Sequence, residues 1–138
     1  MTKEQLRSYQ SIKKEKAQLE RLLEEIETPL YSAPGQQLTG MPHAPAATQS
    51  GSRQERLADR TAELRAWYRA KIDELHAEQL AIEKAIDGLE PTMRLLLRHR
   101  YIEGLPWEKV CLAINYGWAQ THRLHAAALQ RLKDIDRG

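Results

Sequence analysis

Residues 101–132 read YIEGLPWEKVCLAINYGWAQTHRLHAAALQRL. Two apolar-periodic stretches flank Asn115, Tyr116 and Gly117, and the reading of that junction decides the fold. Gly104 suits a helix C-terminal position that needs φ > 0, and Pro106 suits the first turn of the following helix. Asn115 belongs to the few non-glycine residue types that tolerate a left-handed turn conformation. Two helices joined by so short a turn cross steeply, which is helix-turn-helix geometry. Pro91 opens an earlier helix, so the region divides into PTMRLLLRHRYIE, PWEKVCLAI and WAQTHRLHAAALQRLKDI. Leu96, Leu97, Tyr101 and Ile102 line the first helix, Trp107, Val110, Cys111 and Ile114 the second, and Thr121, Leu124, Ala128 and Leu132 the third. With Thr121 and Leu124 inward, Trp118, Ala119, His122 and Arg123 face outward on the first turns of the third helix. Those are the positions that enter the major groove in a helix-turn-helix.

Upstream, residues 3–27 contain no Gly or Pro, and Tyr9, Ile12, Leu19, Leu23, Ile26 and Leu30 fall at spacings of an amphipathic helix. Lys16 falls within that seam, where a coiled coil carries it at a cost in stability. Residues 28–52, TPLYSAPGQQLTGMPHAPAATQSGS, hold four of the six prolines and no Asp, Glu, Lys or Arg. That composition is expected to form a flexible linker. Residues 53–89 then repeat the first pattern, with Leu57, Leu64, Tyr68, Ile72, Leu75, Ile82, Ile86 and Leu89 on one side of a long helix. Neither helix hides its stripe alone, so an antiparallel hairpin is expected, joined to a second protomer through residues 3–27 and 53–89. The expected architecture is all-α: a coiled-coil-like helical hairpin arm over residues 1–90, then a compact three-helix helix-turn-helix domain over residues 91–138.

The formal charge of +2 conceals an asymmetry. Residues 1–90 carry 13 Lys/Arg against 15 Asp/Glu, whereas residues 91–138 carry 8 against 4. Basic charge therefore gathers where the helix-turn-helix lies, as an anionic partner such as DNA requires. The single cysteine, Cys111, excludes an intrachain disulfide, and no run approaches the roughly 18 apolar residues of a membrane span. The N-terminal residues lack the apolar stretch of a signal peptide, so a cytoplasmic protein is expected.

The motif residues carry a resemblance. Arg100 to Gly104, Trp107, Glu108, Val110, Arg123 to His125, Ala128, Leu129 and Leu132 match the pattern of small phage proteins of the ArpU and RinA type, whose C-terminal part resembles region 4 of bacterial sigma factors. Cys111, Asn115, Gly117 and Thr121 depart from it, standing where such proteins have a small Ala, a turn Gly, a Ser/Thr cap and a buried Val or Ile. The resemblance also covers the layout of a charged helix, a loop and a second long helix ahead of the module. It implies a phage or prophage regulator of transcription, often of late genes, acting on double-stranded DNA in the bacterial host and contacting host RNA polymerase.

In that reading the third helix lies in the major groove. Arg123 is placed to pair bidentately with guanine, Gln120 and His122 to hydrogen-bond a base edge, and Trp118 and Ala119 to meet apolar base surface. Lys109, Arg98, Arg100, Arg131 and Lys133 are the expected phosphate contacts, which fix position without reading sequence. No cofactor or metal is expected: His122, His125 and Cys111 lack the C-x-x-C or H-E-x-x-H frames of metal sites. No nucleophile, phosphate-cradling loop or acid/base pair marks an enzyme. Two other readings are a small terminase-like packaging subunit, in which the long helices build an oligomer, and an RNA polymerase adaptor that hardly touches DNA.

Overall fold

The computed structural model describes residues 1–28 and 44–137, with side chains from residue 52 onward in the second segment. Among the described residues all regular structure is helical: α1 (Lys3–Glu27), α2 (Ala44–Asp87), α3 (Pro91–Leu97) continuing into a π-helical turn (Arg98–Ile102), α4 (Trp107–Ile114) and α5 (Trp118–Arg137). The all-α expectation holds, and α1 packs against α2.

The linker expected at residues 28–52 is corrected in part. Residues 44–52 are the first turns of α2, and the rest of the tract, residues 29–43, lies outside the described residues. Adding turns to an existing helix avoids the cost of nucleation. Pro45 sits in the first turn, where its missing N–H does no harm, and Ala44, Ala46 and Ala47 favour helix enough to offset Gly51.

The chain forms two compact units that do not divide at residue 90. One comprises Met1–Glu15 with Leu75–Gly138, and the other comprises Lys16–Glu74. The first unit therefore borrows the start of α1 and the end of α2 for the core of the helix-turn-helix. Three helices of this length bury little apolar surface by themselves, and the two added segments enlarge the core. Leu6, Ile86, Leu96, Leu97, Val110, Thr121 and Leu132 are the largest of its fully buried side chains. The Tyr9 hydroxyl reaches the Glu83 carboxylate at 3.1 Å across the pair of long helices.

A π-helical turn widens the backbone at residues 98–102, with Glu103 N–H bonded five residues back to the Arg98 carbonyl. Gly104 then takes φ +75°, the left-handed conformation expected of it. Such a turn strands carbonyls, and α1 supplies the donor. Gln10 Nε2 donates to the Tyr101 and Ile102 carbonyls, the former at 3.0 Å. A Cβ on residue 104 would also stand 3.2 Å from the Gln10 side chain, which would have to give by a few tenths of an ångström.

In the second unit, Leu19 is buried and the end of α1 is fastened to α2 by Glu27, whose carboxylate meets Arg69 at 2.6 Å and Arg65 at 4.0 Å. Residues 44–64 of α2 lie past that fastening, a rod of about 30 Å at 1.5 Å per residue.

Candidate nucleic-acid interface

The junction between α4 and α5 has the expected geometry. Asn115 adopts φ 59°, ψ 42°, and the Tyr116 N–H closes α4 by bonding the Cys111 carbonyl at 3.1 Å. The pattern matches a left-handed C-cap, in which the residue that reverses the chain lets the next N–H satisfy a helix-end carbonyl. Gly117 then stands at the N-cap of α5, its carbonyl accepting from Thr121 N–H at 2.9 Å. It has no side chain to cap the exposed N–H groups of α5.

Thr121, His125, Ala128 and Leu132 form the buried face of α5. Trp118, Ala119, Gln120 and Arg123 are exposed on its first two turns, Trp118 at 57%. Of these, Ala119, Gln120 and Arg123 fall on the outward arc opposite Thr121 and His125, while Trp118 lies at its edge. His122 does not join them. Its ring is packed between the indoles of Trp107 and Trp118, 4.5 Å from each and tilted by 47° and 53°, and its Nε2 is buried without a hydrogen-bond partner. The imidazole is thus committed to an aromatic stack rather than offered outward.

The stack continues inward. Trp107 meets His125 edge-on at 4.7 Å, and the Arg100 guanidinium lies over the Trp107 ring at 4.6 Å. His125 is 7% exposed, and its Nε2 stands 2.7 Å from the Tyr101 hydroxyl. Burial is the main cause holding His125 well below the usual histidine range, at about 4, with Lys3, His122, Arg100 and Arg7 acting in the same direction. Burial likewise raises the Tyr101 phenol, with Arg100 and Arg7 opposing. At neutral pH the phenol keeps its proton and the imidazole is neutral, so the bond joins two uncharged groups, its direction set by the imidazole tautomer.

The expected phosphate contacts divide into two kinds. Lys109, Arg131 and Lys133 are exposed. Arg98 is also exposed but pairs with Asp87 at 3.4 Å. Arg100 is turned inward: besides stacking on Trp107, it donates to the Leu105 carbonyl at 2.9 Å. A phosphate would have to draw it away from both partners.

His125 is the residue whose role sequence reasoning missed. Its spacing held the signal, since Thr121, His125, Ala128 and Leu132 follow a four-three-four seam, whereas Leu124, chosen for its apolarity, is only half-buried. Next to the α4–α5 turn, Leu112 and Trp118 expose apolar surface beside Glu108 and Tyr116 around an open groove. Among the described residues no cluster of His, Cys, Asp or Glu could hold a metal ion. No described helix is long and apolar enough to cross a membrane.

Comparison with protein-family models, with curated proteins and with solved structures gave no match for this chain.

Proposed function

We propose that this chain is a sequence-specific DNA-binding regulator of transcription, of the phage or prophage type that its motif residues resemble. The observation that carries the reading is the α4–α5 corner: a left-handed Asn115 turn sets a helix whose first turns expose Trp118, Ala119, Gln120 and Arg123 while Thr121 is fully buried. A helix presented in this manner enters a major groove by its N-terminal residues. Arg123 reads a guanine edge, and Lys109, Arg131 and Lys133 hold phosphates. In this reading the regulator acts on late genes in the bacterial host's nucleoid, works beside host RNA polymerase, and is a homodimer joined through its long helices.

The test is selection of bound duplexes from a random DNA pool, followed by titration of the winning sequence at several salt concentrations. A defined site is expected. Arg123→Ala should weaken it by about 1–3 kcal/mol and relax the choice of base at one position. Lys109→Ala should weaken all duplexes alike and flatten the salt dependence. Failure to enrich any sequence, or binding indifferent to Arg123, would refute the reading. A closed ring of many copies in native mass measurements would instead favour a DNA-packaging subunit.

A further inference from the structure

The apolar seam of α2 outruns the helix that covers it. Over its last turns Leu75, Gln79, Ile82, Ile86 and Leu89 are all buried. Traced backwards at alternating steps of four and three, the same seam passes through Lys71, Tyr68, Leu64, Thr61 and Leu57. There it opens: Leu64 is 44% and Leu57 51% exposed, with Trp67 beside them at 57%. The fastening of Glu27 to Arg65 and Arg69 marks where α1 stops and on which flank it lies. The opposite flank, carrying Arg53, Arg60, Trp67 and Glu74, remains outward.

We propose that residues 53–74 of α2 pair antiparallel with the same segment of a second copy of this chain. The proposal deepens the homodimer part of the reading above and is independent of its DNA part. The argument is self-complementarity. With a two-fold axis between residues 62 and 63, Leu57 faces Tyr68 of the second copy and Thr61 faces its Leu64, each twice by symmetry. The flanking positions then fall into register without adjustment. Arg60 lies against Trp67 of the second copy, a cation over an indole face, and Arg53 lies against its Glu74, an ion pair. Sliding one helix by a full heptad loses this match, because it would set Leu57 against Leu75, which is already buried. A parallel pairing brings Arg60 of one copy beside Arg65 of the other, which repel. α1 lies on the outer flank of each α2 only from Arg65 onward, so the two α1 helices stand at opposite ends of the pair and leave its centre to the two α2 helices.

The occupant is a second copy rather than nucleic acid because the patch is apolar along its centre. A phosphate backbone would meet Arg53 and Arg60 and leave Leu57, Leu64 and Trp67 wet.

The experiment is sedimentation equilibrium of the full chain without DNA, with circular dichroism to confirm that each variant keeps its helix content. The wild type is expected at twice its 15.9 kDa monomer mass. Trp67→Ala should weaken the dimer about tenfold or more, as loss of a central aromatic anchor does. Leu64→Glu should leave a folded monomer. Arg53→Glu should also weaken it, and combining Arg53→Glu with Glu74→Arg should restore it, since only the antiparallel register joins those two residues. A wild-type monomer, a dimer untouched by Leu64→Glu, or a charge reversal that fails to rescue would overturn the proposal. DNA binding by a monomer would separate that failure from failure of the regulatory reading.

Discussion

The burial of His125 makes stability depend on pH. Its folded pKa is lowered from 6.5 to about 4, so between those values the unfolded chain binds a proton that the folded chain refuses. Stability is therefore fully present above about pH 6.5 and is lost as pH falls toward about 4. A difference of about 2.5 units at 1.36 kcal/mol per unit sets the whole effect near 3 kcal/mol, of which about 2 kcal/mol is spent by about pH 5. That is a large share of the ~5–15 kcal/mol that holds a typical domain. The assay is urea unfolding followed by circular dichroism at about pH 7.5, 6.5, 5.5 and 5, repeated on His125→Gln, which keeps an acceptor for Tyr101 but cannot titrate here. The wild type should lose about 2 kcal/mol across the series relative to the variant. Parallel curves for the two proteins would refute the reasoning, because they would mean that the buried imidazole accepts its proton at no cost.

Thr121→Val should raise stability by about 1 kcal/mol, because the Thr121 hydroxyl is fully buried without a partner; a lower midpoint in urea would show that the hydroxyl is satisfied. Gly104→Ala should lower it by about 1–2 kcal/mol from the left-handed backbone, read as a fall in thermal midpoint. Gln10→Leu should cost about 1–3 kcal/mol by leaving the Tyr101 and Ile102 carbonyls without their donor. Its amide exchange should quicken around the π-helical turn rather than along α2. Gly117→Ser should gain a few tenths of a kcal/mol by capping α5, since a Cβ at that position meets nothing.

Elements with strong local signals were legible in the sequence. The helical seams of residues 3–27 and 53–89, the breaks at Pro91 and Gly104, and the left-handed Asn115 follow from side-chain period and backbone preference. What local rules could not supply was competition between partners. His122 falls on the outward arc of α5, yet two indoles from different helices close on it, and one of them, Trp107, is distant in sequence from it. Arg100 counts as a basic residue free for phosphate until Trp107 and the Leu105 carbonyl claim it. Residues 44–52 read as linker because they continue an uncharged tract that holds four prolines, whereas a long helix already nucleated downstream extends back through their alanines to Pro45. The boundary expected at residue 90 marks a real break in the helices but not in the core, because Leu6 and Tyr9 cross it from the far end of the chain.

The hydrogen bond from Gln10 to Tyr101 spans 91 positions, and its meaning changes when the chain is considered as it leaves the ribosome. α1 emerges early with half of its buried face waiting for helices not yet made. The turn that sets α5 receives its support from the earliest residues rather than from its neighbours, so closure is a late, long-range event of the slow kind. Until then Leu6, Tyr9 and Ile12 are exposed to whatever binds nascent apolar surface. A fragment cut at residue 91 to isolate the reading module would keep every residue proposed to touch DNA and discard a wall of the core that aims them.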